Sequence, residues 1–359
     1  MSIGLLKETS GNYNIFIESS MEEAINRTAA SISQKKNNAI IVDENVYNFY
    51  SNYIELLREK AADKILIIKV SEENKNYDTI KIIYDFFMSN EINRSSTIIS
   101  IGGGILGDLA GFAASTFMRG IPYISIPTTI ISQTDSSVGG KVGYNYREIK
   151  NIIGNFYNPY GVIIPIEAAK SLDDKNFING ICEVIKYALI SSEDLLKYIE
   201  DNIEGLIKRQ EEILFQIIKR CLEIKISIVA GDYRDENIRN TLNFGHTAGH
   251  AIESHSNYAI MHGEAVALGI LIAVKLSEYQ LHLPEDIYQR LLNLYDKLGI
   301  PHSYKINNID TLISIMKKDK KNDNDIRFVL LENIGKCKIK CKVTEEELTK
   351  AIKEGIGEN

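Results

Sequence analysis

The chain has 359 residues, 25% of them charged and 44% hydrophobic, with a formal net charge of -7. That length supports two domains and a large buried core, and the acidic balance argues against a general nucleic-acid binder, so an anionic ligand must be met by local lysines and arginines. No signal peptide is visible at the N-terminus and no apolar run is long enough to cross a bilayer, so a cytoplasmic setting is expected.

The first half alternates short apolar runs with amphipathic stretches. YNIFIE, NAIIVDE, KILIIKV and TIISIG read as strands, and the segments near 21–34, 44–60 and 75–90 read as helices by apolar spacing. IPYISIPTT and GVIIP add further strands. Strand–helix alternation implies a parallel sheet with helices on its faces.

TIISIGGGILGDLAGF is a buried strand, a glycine cluster and a helix beginning near Ile105. Glycines such as Gly102, Gly103 and Gly104 let backbone N–H groups approach a phosphate, and a helix N-terminus offers its positive end to an anion. The spacing of Gly102, Gly104 and Gly107 fits GxGxxG formally, but Asp108 follows at once and brings a negative charge near that turn. A tight turn with no ligand is the plainer reading. The polar, glycine-rich IPTTIISQTDSSVGGKVGYN comes next, where Thr128 and Thr129 can meet a ligand at the carboxyl edge of the sheet. Asp135, Lys141 and Asn151 could supply an acceptor, a cation and an amide. A loop of that length is unusual without a function. KNIIGNFYNP is expected to return the chain to the sheet.

After about residue 170 helical patterns dominate, at 177–191, 193–230, 238–256, 262–281 and 284–299. Strand signals return at DIRFVLL and KCKIKC, as a hairpin. The expected division is an α/β domain over 1–170 and a helical domain over 171–359, with no Pro/Gly-rich linker between them. The cysteines Cys182, Cys221, Cys337 and Cys341 are scattered and form no disulfide framework, and a zinc knuckle at CKIKC would need another pair.

In INGICEVIKYALI, Glu183 and Lys186 share a helix face. They form either a solvated ion pair or, given the apolar neighbours, an interior carboxylate that needs a partner or a metal. His246, His250 and His262 crowd into LNFGHTAGHAIESHSNYAIMHGEAV. Spacing alone nominates His246 and His250, four apart, as metal ligands, with two histidines in a polar core as the alternative. Arg239 and Asn243 precede them and Lys225 lies on the helix before, a set suited to a polyhydroxylated acid phosphate. Lys320 and Lys321 read as a solvated turn.

Taken together, GGGILGDLAGF, STFMRG, PTT, TDSSVGGK, KNIIGNFYNP, INGICEVIKYALI, RNTLNFGHTAGHAIE, MHGEAVALG and DKK resemble the 3-dehydroquinate synthases, sugar phosphate cyclases of the shikimate pathway. These segments run from about residue 100 to 330 in the family's order, while the first hundred residues are similar mostly in α/β texture. The resemblance implies a Rossmann-like NAD-binding domain and a helical domain holding a divalent metal, zinc or cobalt, on Glu183, His246 and His262. It thereby moves His250 from the ligand set to the substrate side. It implies cofactor contacts at Asp108, Thr128, Thr129, Lys141 and Lys150, with Gly103, Gly104 and Gly107 beneath the pyrophosphate. Asp43, Glu72 and Lys75 match contacts to the two ends of the dinucleotide, and Ser171 retains a hydroxyl for another. The implied substrate pocket comprises Arg119, Asp135, Lys141, Asn151, Lys186, Lys225, Arg239, Asn243 and His250, plus one of Lys320 and Lys321.

IIPIEAAKSLDD departs from the family's D-L-x-x-L-x-T-L-P at Pro165, Ser171 and Asp173, which puts the local turn in doubt. The implied substrate is 3-deoxy-D-arabino-heptulosonate 7-phosphate. The implied reaction is transient oxidation by NAD, phosphate elimination, re-reduction and intramolecular aldol closure, in a homodimer. A sibling cyclase and a metal-dependent alcohol or glycerol dehydrogenase are the alternatives.

Overall fold

The computed structural model describes residues 3–32, 37–147, 149–319 and 326–357, which fall into two compact units. The first comprises Met1–Leu172 and Leu214–Tyr233, the second Asp173–Ile213 and Arg234–Asn359.

The first unit is built on a seven-stranded sheet. Its strands are β1 (Gly4–Glu8), β2 (Tyr13–Glu18), β3 (Ala39–Asp43), β4 (Lys64–Ile68), β5 (Ile98–Gly102), β6 (Tyr123–Pro127) and β9 (Gly161–Pro165), in the order β1-β2-β9-β6-β5-β3-β4. All neighbours run parallel except β1, which pairs antiparallel with β2 at the edge. Central strands β3, β5, β6 and β9 are buried throughout, as their mostly apolar runs require of a sheet covered on both faces, with Ser100 and Ser125 buried among them. Helices α1 (Met21–Ser31) and α2 (Glu44–Ala61) bring Met21, Ile25, Ile54 and Leu57 onto Ile40, Val42, Ile99 and Ile101. Helices α3 (Tyr77–Ser89) and α4 (Gly104–Thr116) bring Ile80, Ile83, Phe87, Leu106 and Leu109 onto Ala39, Ile41 and Ile98.

Chain direction reverses at the β3/β5 pair: β3 leads to β4 on one side, and β5 leads to β6 on the other. A crevice outside the carboxyl ends of such a pair is where open α/β sheets take ligands. Asp43 ends β3 and Gly102 ends β5.

Two expectations for this unit are corrected, and one strand is added. The edge strand β1 was not anticipated. KNIIGNFYNP does not rejoin the sheet; β7 (Lys141–Tyr146) and β8 (Ile149–Phe156) form a separate antiparallel hairpin. Gly143 and Gly154 face each other there, so closely that a Cβ on either would stand 2.5–2.6 Å from a backbone oxygen of the opposite strand. Residues 214–233, expected in the helical half, group with the sheet. The reason is local: Ser10 Oγ donates to the Val229 carbonyl at 3.4 Å, and Gly4 leaves room for the Phe215 ring.

The second unit contains α6 (Asp174–Ser191), α7 (Glu193–Asp201), α8 (Ile203–Ile207), α10 (His246–His255), α11 (His262–Leu281), α12 (Asp286–Leu298), α13 (Ile309–Asp319) and α14 (Glu345–Ile356), with α5 (Ile166–Lys170) and α9 (Glu211–Gly231) preceding or leaving it. The hairpin of β10 (Ile326–Asn333) and β11 (Lys336–Val343) is antiparallel, as expected. Helix α11 is buried along nearly its whole length, from Ala265 to Leu276, and forms the axis of this unit. The span expected as one helix over 193–230 is three, interrupted near Asn202 and Gln210. The span 238–256 is also broken, into a 3-10 turn over Ile238–Asn243 and then α10. The break is at Gly245, whose φ of 77° lies in the left-handed region, and where a Cβ would stand 2.6 Å from Ile270 and 2.9 Å from the Val266 carbonyl. Asp173, in doubt as a turn residue, caps α6 by accepting from the Asn176 N–H at 2.8 Å.

Candidate active site

In the first unit the glycine cluster is a strand-to-helix turn. Gly103 is the N-cap of α4, and the apolar run before it supplies buried β5. A Cβ on Gly104 would stand 2.7 Å from Ser136 Oγ and one on Gly103 3.0 Å from Thr129 Cγ2, whereas Gly107 faces open space. A pocket lies over this turn, lined by Gly103, Gly104, Gly107, Asp108, Ser136 and Lys141, among others. The small residues leave room there, and the first turn of α4 presents backbone N–H groups that lack helical partners.

Polar residues from three segments join beside the turn. Lys75, 5% exposed, donates to Asp108 Oδ2 and to Asn151 Oδ1, both at 2.6 Å. Asn145 donates to Glu72 Oε1 at 2.7 Å and accepts from the Asn151 N–H at 2.8 Å, and Lys150 Nζ stands 3.7 Å from Glu72. Asp108 therefore faces a cation. Burial raises its pKa above the ordinary value, and the Lys75 ammonium opposes that rise. Asp43 caps α2 by accepting from Asn45 and Val46, and burial lifts its pKa too. Thr128 donates its N–H to the Gly102 carbonyl, which ties β6 to the turn. The Thr129 hydroxyl lies 2.9 Å from Ser132 Oγ, and Ser171 Oγ donates to the Ala168 carbonyl. Lys225 on α9 is buried and pairs with Asp135, donating to its carboxylate and, at 2.5 Å, to its carbonyl. Arg119 occupies an exposed turn at φ 66°.

In the second unit Glu183 is 1% exposed on α6, His246 opens α10 and His262 opens α11. The Nε2 atoms of His246 and His262 each stand 3.5 Å from Glu183 Oε1. Lys186, equally buried one turn along, brings Nζ to 2.6 Å from Glu183 Oε2. The contact is one of charge: neither Glu183 oxygen has a donor in hydrogen-bonding geometry. Helix α11 reaches this position because Gly263 lies against α6, where its N–H donates to Asn179 Oδ1 at 2.6 Å. The ring of His250, one turn beyond His246, is centred 5.3 Å from the His246 ring and 5.8 Å from the His262 ring. Side-chain atoms of His250, Glu253 and His262 form a second cluster within 4.8 Å of one another. Arg239 is buried on the 3-10 turn, Asn243 is exposed at its end, and Lys320 and Lys321 lie outside the described residues.

Electrostatically the cluster is asymmetric. Burial alone would push Glu183 up, but Lys186 and the two imidazoles outweigh it and hold the carboxyl well below its usual range. Burial pulls His246 down to about 3, despite the attraction of Glu183. Burial works against charge on His262 as well, yet contacts with Glu183 and Glu253 push it up to about 9. Without a metal ion, a proton on His262 adds to the Lys186 ammonium as positive charge beside this carboxylate.

Sequence reasoning overlooked Asn179, Gly263 and Glu253. The signal for Glu253 was present: it lies seven residues after His246, on the same helical face.

Two family models match in tandem: "3-dehydroquinate synthase N-terminal" over residues 65–179 and "3-dehydroquinate synthase C-terminal" over 180–322. The 3-dehydroquinate synthase of Clostridium tetani is 45% identical over 351 residues, covering 97% of this chain and 94% of that protein. Among solved structures, the 2-epi-5-epi-valiolone synthase of Streptomyces hygroscopicus, with NAD+ and Zn2+ bound, is similar with a TM-score of 0.88 at 24% identity, covering 98% of both chains. A 2-deoxy-scyllo-inosose synthase complexed with carbaglucose-6-phosphate, NAD+ and Co2+ also has a TM-score of 0.88, at 25% identity, covering 98% of this chain and 100% of that one.

Proposed function

The chain belongs to the 3-dehydroquinate synthase family, the shikimate-pathway enzymes that form 3-dehydroquinate, and on that premise we propose that it is an NAD- and metal-dependent, phosphate-eliminating lyase. Its substrate is 3-deoxy-D-arabino-heptulosonate 7-phosphate. The observation that carries the metal dependence is Glu183, a buried carboxylate whose Oε2 meets the Lys186 ammonium while Oε1 has no hydrogen-bond donor and faces an imidazole nitrogen at 3.5 Å on each of two helices.

The donor set fits a zinc-type ion. Ligand atoms about 2.0–2.2 Å from such an ion at tetrahedral angles stand about 3.3–3.6 Å apart, and the two Glu183–histidine separations fall in that range. Two nitrogens and one carboxylate also leave a position open for substrate oxygens. A divalent cation bound there lowers the proton affinity of the hydroxyls it touches. The glycine turn and the network of Lys75, Asp108 and Asn151 fit a dinucleotide, since open space over Gly107 meets backbone donors at the start of α4. NAD supplies a hydride acceptor that is regenerated within the turnover.

The chain's own residues bind, orient and relay. His250 takes the proton of the hydroxyl being oxidised, since its ring adjoins both ligand imidazoles. Lys186 balances the charge of Glu183. Arg239 and Lys225 bind the carboxylate of the substrate, and Lys141, Asn151 and Arg119 its phosphate. Asp135 fixes the Lys225 ammonium. Positioning and charge stabilisation carry the chemistry. No helix among the described residues is long and apolar enough to cross a membrane; the enzyme acts in the cytoplasm as a homodimer.

Competing assays test this reading. Phosphate is released from the heptulosonate phosphate and not from sedoheptulose 7-phosphate or glucose 6-phosphate. Preference for either of the latter assigns the chain to a sibling cyclase chemistry, and NADH accumulating one-for-one with product assigns it to a dehydrogenase.

A further inference from the structure

We infer that Glu253 is the positioning residue of His262: it accepts the Nδ1–H of that imidazole and so turns Nε2 toward the cation shared with Glu183 and His246. The inference rests on the metal reading above and assigns the second carboxylate of the cluster.

Glu253 is 5% exposed, and a carboxylate so buried needs a compensating partner. Its Oε2 lies 3.4 Å from His262 Nδ1, on the other side of the ring from Glu183, which faces Nε2 at 3.5 Å. A neutral imidazole has one N–H and one lone pair. If Nε2 gives its lone pair to a cation beside Glu183, the proton sits on Nδ1, and Glu253 is the acceptor placed to take it.

His246 shows the same arrangement independently. Its Nδ1 lies 3.1 Å from the Phe244 carbonyl, an obligate acceptor, and its Nε2 faces Glu183 Oε1 at 3.5 Å. Both imidazoles thus have an acceptor behind Nδ1 and the common carboxylate before Nε2. One acceptor is backbone and the other is Glu253. The helix makes this possible: His246, His250 and Glu253 recur at i, i+4 and i+7 of α10, so one face carries a ligand, a proton relay and an orienting carboxylate.

Cobalt binding to the chelator-stripped full chain tests the assignment, read by the d–d absorption of Co2+ during titration. Glu253→Ala is expected to bind Co2+ about 10- to 100-fold more weakly than the wild type and to shift the absorption bands. Glu253→Gln, whose amide oxygen still accepts from Nδ1, is expected to recover part of the loss. Wild-type circular dichroism and a cooperative denaturant transition in both metal-free variants report an intact fold. Wild-type affinity and spectrum in Glu253→Ala would overturn the inference while leaving the metal reading standing, as would two cobalt ions per wild-type chain, which would make Glu253 a ligand of its own site. A wild type that binds no cobalt overturns the metal reading and the inference with it. The unmutated zinc-loaded protein gives a readout independent of any variant: long-range 1H–15N spectra are expected to place the His262 proton on Nδ1, and a proton on Nε2 would refute the assignment.

Discussion

Gly263 and Asn179 are in backbone contact across α11 and α6: a Cβ on Gly263 would stand 1.9 Å from the Asn179 carbonyl oxygen, and the Gly263 N–H donates to Asn179 Oδ1 at 2.6 Å. The contact lies one residue from His262 and one helical turn from Glu183. It sets the distance between two of the three proposed ligands. Gly263→Ala forces the helices apart, and overpacking of this kind costs about 1–3 kcal/mol. Both denaturant stability and zinc affinity are expected to fall, and an unchanged zinc affinity would show that the ligands do not depend on this contact.

Metal affinity is expected to depend on pH through His262. In the metal-free protein its pKa is pushed up to about 9, Glu183 is already ionised and His246, at about 3, is already neutral. Binding at pH 7 therefore displaces a proton from His262. Between pH 9 and pH 6 each unit of acidification weakens apparent affinity about tenfold, the slope of competition with a single proton. The sign follows from the raised pKa: the charge on His262 favours the folded metal-free state below its unfolded pKa and is lost as pH rises through 9, where the cation takes its place. Calorimetry in buffers of different ionisation enthalpy measures the release, and a value near zero at pH 7 would contradict the shift.

Lys75 holds Asp108 and Asn151 together from a buried position. Lys75→Met takes this donor from the half-buried Asp108 carboxylate and from Asn151, which is exposed and can turn to water, so the loss is that of about one charge-assisted hydrogen bond, roughly 1.5–3 kcal/mol. The expected outcome is lower stability with weaker NAD binding and unchanged zinc affinity, measured by fluorescence titration and metal analysis. Full NAD affinity would remove this network from the cofactor site.

Much of the sheet was legible because β3, β5, β6 and β9 are short, mostly apolar runs, three of them ending in glycine or proline, and the start of α4 because three glycines mark the turn before it. Breaks inside helices were not. Periodicity runs smoothly through 238–256, and only the close approach of Ile270 and Val266 to Gly245 explains the interruption. The segment of β7 read as loop and that of β8 as a return to the main sheet, because the glycines that pair them meet backbone rather than side chains. At the candidate site, i, i+4 spacing proposed His246 with His250, whereas the carboxylate they would share with a third ligand is more than sixty residues away in sequence. Local pattern reports a helix face and cannot report which distant helix opposes it. The motif resemblance supplied that pairing, and the geometry brings Glu183, His246 and His262 within one cluster.

The most direct measurement is metal content per chain, by mass spectrometry, of purified wild type, His246→Ala and His250→Ala, with heptulosonate phosphate turnover followed in parallel. One ion in the wild type, none in His246→Ala, and one in a slow His250→Ala is the predicted result. A folded His250→Ala that lacks metal, or a wild type that turns over undiminished after complete chelation, would contradict it.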